Sequence, residues 1–144
     1  MAAAPSTHAP ADTTFRSYSS NQAAVYAKSR KGYPPTLIRY IVDHHRATGG
    51  KTGVLLDVGC GPGNATRALS PYFDVVFAAD PGQAMLQTAT ELGGTTATGA
   101  ALKYRLSGAE EIDGIEELEH GSVDMITVAA AVSPECCSWG GSSC

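Results

Sequence analysis

Between Gly53 and Thr66 the chain reads G-VLLDV-GCGPG-NAT, and no other stretch constrains the fold as strongly. Val54 to Val58 form a short, mostly apolar run of buried-strand length with one acid, Asp57, inside it. Glycines follow at alternate positions, Gly59, Gly61 and Gly63, and a helix-like segment begins near Asn64. Glycine admits positive φ and lets a ligand come close to the backbone. A helix start offers N–H groups without intrahelical partners and a partial positive charge. Strand, glycine turn and helix in that order make a cradle for an anionic or polar, nucleotide-like ligand.

The pattern around the cradle repeats strand–helix alternation. Asn21 to Ser29 is a helical candidate, broken by Gly32-Tyr33-Pro34-Pro35. Pro35 or Thr36 starts a second helix to Ala47, with Leu37, Ile38, Ile41 and Val42 on one stripe, and Gly49-Gly50 ends it. After the glycine turn, Ala65 to Leu69 is a short helix stopped near Ser70-Pro71. Asp74 to Asp80 is a second strand, Gln83 to Leu92 a helix, Lys103 to Leu106 a weak third strand, and Ser122 to Val132 a fourth. Residues 107–119 read as a loop holding a short acidic helix. This alternation predicts an α/β fold: a Rossmann-like parallel sheet with helices on both faces.

At 144 residues the chain is long enough for one core. With 43% hydrophobic and 17% charged residues it reads as globular. A net charge of -4 gives no basic face for nucleic acid. No apolar run approaches the ~20 residues of a membrane span. Residues 1–14 read as a disordered leader without the pattern of a secretory signal. Of the cysteines, Cys60 sits in the glycine turn, and Cys136, Cys137 and Cys144 crowd the last nine residues. That is a poor disulfide framework and predicts a reduced, cytoplasmic chain. His44 and His45 are adjacent on a helix, point apart, and predict a polar helix end rather than a metal pair.

The glycine spacing separates two kinds of cradle. A dinucleotide fingerprint, G-x-G-x-x-G, needs its third glycine at residue 64, which is asparagine. The pattern present is D-x-G-x-G-x-G, from Asp57 to Gly63, and it resembles the first motif of the class I S-adenosylmethionine (SAM) methyltransferases, type 11. The resemblance implies SAM as cofactor, with Gly59, Cys60, Gly61 and Gly63 wrapping its methionyl and ribose parts. Asp57 would bind its amino group, directly or through water. Asp80 closes the second strand seventeen residues after Gly63. A carboxylate there can accept both ribose hydroxyls, which suits NAD and SAM alike. The following D-P-G-Q-A-M-L resembles the family's next segment, where Pro81 turns the chain and Met85 either covers the adenine or packs as a core methionine.

Ser107-Gly108-Ala109-Glu110 stands where the family often has G-D-A-E, with Gly108 in place of the acid that touches the adenine amino group. The resemblance then passes that contact to the Ala109 N–H or to Glu110, against a plain solvated acidic loop. Tyr26 to Leu37 (YAKSRKGYPPTL) resembles the Y-x-x-x-R-P-x-Y-P segment of a subgroup that includes fungal proteins like trans-aconitate methyltransferase, with Lys31 replacing the first proline. There it implies a fold over the cofactor in which Tyr26 or Arg30 meets the SAM carboxylate. The methyl acceptor implied is a small molecule, such as a carboxylate.

The resemblance covers roughly residues 15–131. Beyond it, S-P-E-C-C-S-W-G-G-S-S-C has no strand or helix period and reads as an out-of-frame or alternatively spliced ending. The expected sheet is therefore partial, strands 3-2-1-4 of the family's seven, with the domain at 15–132 and an atypical tail at 133–144. Two rivals stand beside an active methyltransferase: a non-catalytic SAM-binding remnant, and a nicotinamide oxidoreductase that the glycine spacing disfavours.

Overall fold

In the computed structural model, residues 19–29 and 32–129 are described. The tail 133–144 and the leader 1–14 lie outside them. Helix α1 (Ser20–Ser29) is followed by α2 (Pro35–Ala47), β1 (Val54–Val58) and α3 (Asn64–Leu69), which runs into a 3-10 turn, Ser70–Tyr72. Then come β2 (Val75–Asp80), α4 (Gln83–Leu92), β3 (Lys103–Leu106), a 3-10 helix (Ala109–Gly114) and β4 (Met125–Thr127).

The four strands form one parallel sheet in the order β3-β2-β1-β4. This is the expected partial order. Alternate residues of β1 and β2 face opposite sides, as the two-residue period of a strand requires. Leu55 and Val76 pack with Ile38 and Val42 of α2, Leu69 of α3 and Phe73. Leu56, Val58, Phe77 and Ala79 face the other way, against Ile115 with Ile112, Leu118 and Val123. Ala78 shares the face of Val76 and packs with Leu86 of α4, Cys60 and Tyr104. Helices α2, α3 and α4 thus cover one face. Among the described residues, the 3-10 helix and the segment after it cover the other.

Local chemistry explains the junctions. Proline starts α2, where its missing N–H costs nothing. Thr48 caps the far end by donating its hydroxyl to the carbonyls of His44 and His45. His44 stacks on Tyr40 at the surface. The His45 ring lies over Gly50, where a Cβ would be only 2.3 Å from it, and its Nε2 donates to the Lys51 carbonyl at 2.7 Å. The histidine pair therefore splits into a surface ring and a structural clasp ahead of β1.

The fourth strand is shorter than the sequence pattern predicts. Ser122 to Val132 was the expected span, of which residues 130–132 lie outside the described residues; among those described, the ladder holds Met125 to Thr127, paired with Leu55 to Asp57. The reason is at both ends. Asp124 uses its side chain to accept the Val54 N–H at 2.9 Å, while the Asp124 N–H donates to the Val54 carbonyl, so the approach is fixed by a side chain. At the other end β1 itself stops, because Gly59 turns the backbone away. Ile126 and Val128 are 60% and 45% exposed, so the β4 margin carries the apolar surface its sequence implies.

Candidate functional site

The glycine turn leaves β1 at its carboxyl end, beside the carboxyl end of β2. Gly59, Gly61 and Gly63 have φ of 65°, 54° and 82°. Non-glycine residues pay about 1–2 kcal/mol there. The space around two of them differs. A Cβ on Gly61 would meet nothing within 4 Å, whereas one on Gly63 would lie 2.8 Å from Arg67 Nη1 and 3.0 Å from the Tyr104 hydroxyl. Gly61 faces open space, and Gly63 presses against the protein. The Cys60 N–H donates to the Ala79 carbonyl and the Gly63 N–H to the Cys60 carbonyl, both at 3.0 Å, so the turn is tied to β2 and to itself.

Two carboxylates adjoin the turn, each almost wholly buried. Asp57 is 1% exposed and Asp80 6%. Thr66 donates its hydroxyl to Asp57 Oδ2 at 2.5 Å, and Thr127 donates to Oδ1 at 2.9 Å. Thr127 is the register partner of Asp57 on β4, so the sheet itself brings the hydroxyl alongside. Burial pushes the Asp57 carboxyl above its ordinary range; the two hydroxyl bonds oppose this, and the charge of Asp80 adds to it. Asp80 accepts the Gly61 N–H on Oδ2 at 2.9 Å and the Gly82 N–H on Oδ1 at 2.7 Å. It therefore bridges the glycine turn and the start of α4.

Helix α3 is only six residues long. Its dipole therefore adds little at the turn, where the two buried carboxylates carry the charge. Arg67 in α3 reaches back over the turn, donating Nη1 to the Pro62 carbonyl at 2.6 Å and Nη2 to Asn64 Oδ1 at 2.9 Å.

The other predicted positions fall as follows. Cys60 is buried, its thiol pushed well up by burial and then by the charges of Asp57 and Asp80, which makes it a poor nucleophile. Pro81 is half-buried at the turn into α4. Met85 is 1% exposed, the packing of a core methionine. Ala109 and Glu110 open the exposed 3-10 helix. A Cβ on Gly108 would lie 2.7 Å from a Glu110 carboxylate oxygen, so the Glu110 side chain fills the space that a residue-108 side chain would use. Tyr26 lies in α1 with its side chain outside the described residues, and Arg30 is outside them altogether. A groove of about 430 Å³ runs between the end of β3 and the 3-10 helix, past Ser107, Glu111 and Glu116. None of the glycine-turn residues lines it, and neither Asp57 nor Asp80 does.

Three side chains that the sequence reading did not single out complete the site: Thr66, Thr127 and Arg67. A signal existed for one of them. Thr127 is a hydroxyl residue within the strand-like run M-I-T-V-A, where a hydroxyl drawn into the sheet asks for a partner.

Comparison with known proteins points one way. Residues 56–133, more than half of the chain, match the family described as a methyltransferase domain. A Dictyostelium discoideum protein whose name includes the word methyltransferase is 37% identical over 108 residues, 73% of this chain. The Saccharomyces cerevisiae protein named Probable S-adenosylmethionine-dependent methyltransferase CRG1 is 32% identical over 111 residues, 77% of this chain. The chain spans 36% of the length of each of these two relatives. The crystal structure of an S-adenosylmethionine-dependent methyltransferase from Clostridium acetobutylicum aligns with a TM-score of 0.54 at 23% identity. That alignment covers 74% of this chain and 41% of that one, and it is a likeness of fold.

Proposed function

We propose that this chain, a member of the methyltransferase-domain family, binds S-adenosylmethionine at the glycine turn and serves methyl transfer to a small-molecule acceptor. The observation that carries the reading is the charge of the cradle. Two carboxylates, 1% and 6% exposed, stand beside a glycine turn whose middle glycine faces open space. Burial is the main reason the Asp57 carboxyl sits above its ordinary range, and repulsion by the Asp80 charge adds to it. A ligand carrying positive charge relieves that repulsion, and a pyrophosphate aggravates it. The sulfonium and ammonium groups of SAM are cationic, whereas the linkage of NAD is anionic, and this difference adds to the missing glycine at residue 64.

In this reading Asp80 takes the ribose hydroxyls. Each of its oxygens already accepts one backbone N–H, and a carboxylate oxygen has capacity for a second. Asp57 has both oxygens engaged by threonines and almost no exposure, so its part is played by charge and through water. The backbone of Gly59, Cys60, Gly61 and Gly63 wraps the ligand, Pro81 aims α4, and Ala109 or Glu110 meets the adenine edge. Glu110 occupies the space next to Gly108 and so supplies a carboxylate near the place where the family has its aspartate. Met85 supports the adenine side from beneath, and Tyr26 or Arg30 meets the ligand carboxylate.

The methyl group arrives already activated on the sulfonium. The task of the protein is then orientation and exclusion of water. We propose a carboxylate as the acceptor class, since its methylation needs no general base. Titration calorimetry of the chain with SAM, S-adenosylhomocysteine and NAD tests the reading. Heat with the first two and none with NAD is expected; heat with NAD alone overturns it. Binding without methyl transfer favours the non-catalytic remnant.

A further inference from the structure

We propose that Arg67 is a positioning residue, a fork that holds the glycine turn in its ligand-ready path. The inference rests on the cofactor reading above. The Gly61–Pro62 pair is pinned at both ends by groups of matching charge. Its N–H end, at Gly61, is held by the Asp80 carboxylate at 2.9 Å. Its carbonyl end, at Pro62, is held by the Arg67 guanidinium at 2.6 Å. A donor meets an anion and an acceptor meets a cation, so both bonds are charge-assisted and the short peptide segment is stretched between them.

The fork is itself fixed. Its second arm donates to Asn64 Oδ1 at 2.9 Å, and the Arg67 N–H donates to the Gly63 carbonyl at 2.9 Å. Its stem lies under Gly94, at φ 121°, where a Cβ would come within 3.1 Å of Arg67 Cγ. The guanidinium also sits where a side chain on Gly63 would go. Pro62 and Asn64 thus share one side chain as their hydrogen-bond donor, and Gly63 between them packs against it. Lysine cannot substitute, because a single ammonium lacks the planar fork that reaches two acceptors at once. A glycine-rich turn has much conformational freedom to lose on binding, and holding it beforehand spares the ligand that loss.

The test uses the full chain and needs two readouts. Amide hydrogen exchange without ligand comes first. Arg67→Ala is expected to speed exchange at Gly61 and Gly63 by tenfold or more, with Val76 and Phe77 of β2 unchanged. Titration with S-adenosylhomocysteine comes second: Arg67→Ala and Arg67→Lys are both expected to bind about tenfold more weakly, and millimolar guanidinium ion is expected to restore part of the loss in Arg67→Ala only. Unchanged exchange at the two glycines overturns the proposal, as does unchanged affinity in a parent chain that binds. Faster exchange throughout β2 also overturns it, since that is general destabilisation. A parent chain that does not bind S-adenosylhomocysteine sinks the cofactor reading, and the exchange readout still decides the fork. Should Arg67→Ala not fold, Arg67→Lys carries both readouts.

Discussion

The glycine turn and the outer margins of the sheet are built on opposite terms. Around the turn, most polar groups answer a buried partner: Asp57 to two threonines, Asp80 to two amides, Cys60 to Ala79. At the margins the strands are three and four residues long, and Leu106 and Ile126 are 61% and 60% exposed. The ion pairs of the β3 margin, Glu117 with Lys103 and with Arg105, lie at the surface. Buried, matched polar groups fix geometry, because leaving one unmatched costs about 1–3 kcal/mol. Exposed pairs trade one partner for water at little cost. Buried polar bonds thus concentrate where a ligand would be gripped, and exposed apolar residues and ion pairs at the outer strands.

The sharpest way to break this contrast is through the core that backs the turn. Phe73, fully buried between α2, α3 and β2, should cost about 3–5 kcal/mol when cut to alanine, read by urea unfolding. A loss under about 1 kcal/mol would mean the core behind the turn is no tighter than the margins. Next, Gly63→Ala combines a left-handed backbone with contacts at 2.8 and 3.0 Å. The expected loss is about 2–4 kcal/mol. Gly61→Ala, strained alike but facing open space, should lose less stability; equal losses would remove the distinction between the open and closed sides of the turn.

Asp80→Ala should weaken S-adenosylhomocysteine binding by about 1.5–3 kcal/mol, measured by calorimetry. Unaltered affinity would take Asp80 out of the site and leave it a purely structural bridge.

A smaller effect concerns pH. Asp57 holds its proton to higher pH in the folded chain than in the unfolded one, because burial is the largest influence on it. Between the ordinary carboxylate value and that raised value the folded state binds more protons, so stability falls as pH rises through this window. Asp57→Asn should flatten that descent in a series of urea midpoints across acidic to neutral pH. An identical slope in the variant would assign the pH dependence elsewhere. Smallest of all, Glu117→Gln should leave the thermal midpoint unchanged. Its carboxyl is held below the usual range by Arg105 and then Lys103, yet it lies in solvent. A clear drop would show the margin to be tighter than its exposure implies.

The contrast also explains what could be read from the sequence. Strands β1 and β3 and helix α4 have the predicted limits to the residue, because glycine, proline and apolar runs punctuate them sharply. The sheet order was implied by the resemblance of the glycine turn to the class I methyltransferases, whose sheet places its strands 3-2-1-4, and the ladder has that order. The three glycines adopt positive φ as their spacing suggested. What was not legible depends on register. No local pattern says that Thr127 will stand beside Asp57, or that Asp124 will replace the ladder before β4 begins; both meet partners 70 residues earlier. Arg67 was overlooked for a different reason. A single arginine in a short helix looks like a solvated residue until the turn before it is folded back within its reach. The start of β4 fell three residues late, at Met125 instead of Ser122, because no glycine or proline marks the entry to that strand.

Those two 70-residue contacts bear on how the chain assembles. Asp124 and Thr127 grip β1 by its first amide and by its buried acid, so β4 is fastened at both ends of a three-residue ladder. Closing so long a loop is slow compared with forming the local β1–α3–β2 unit. The β1–α3–β2 unit can therefore settle while Asp57 still lacks one of its two hydroxyls. Docking of the last strand completes the satisfaction of that acid and, in the same motion, fills the gap beside β1. The acid beside the glycine turn thus depends on a strand whose partner residues stand 70 positions earlier in the chain.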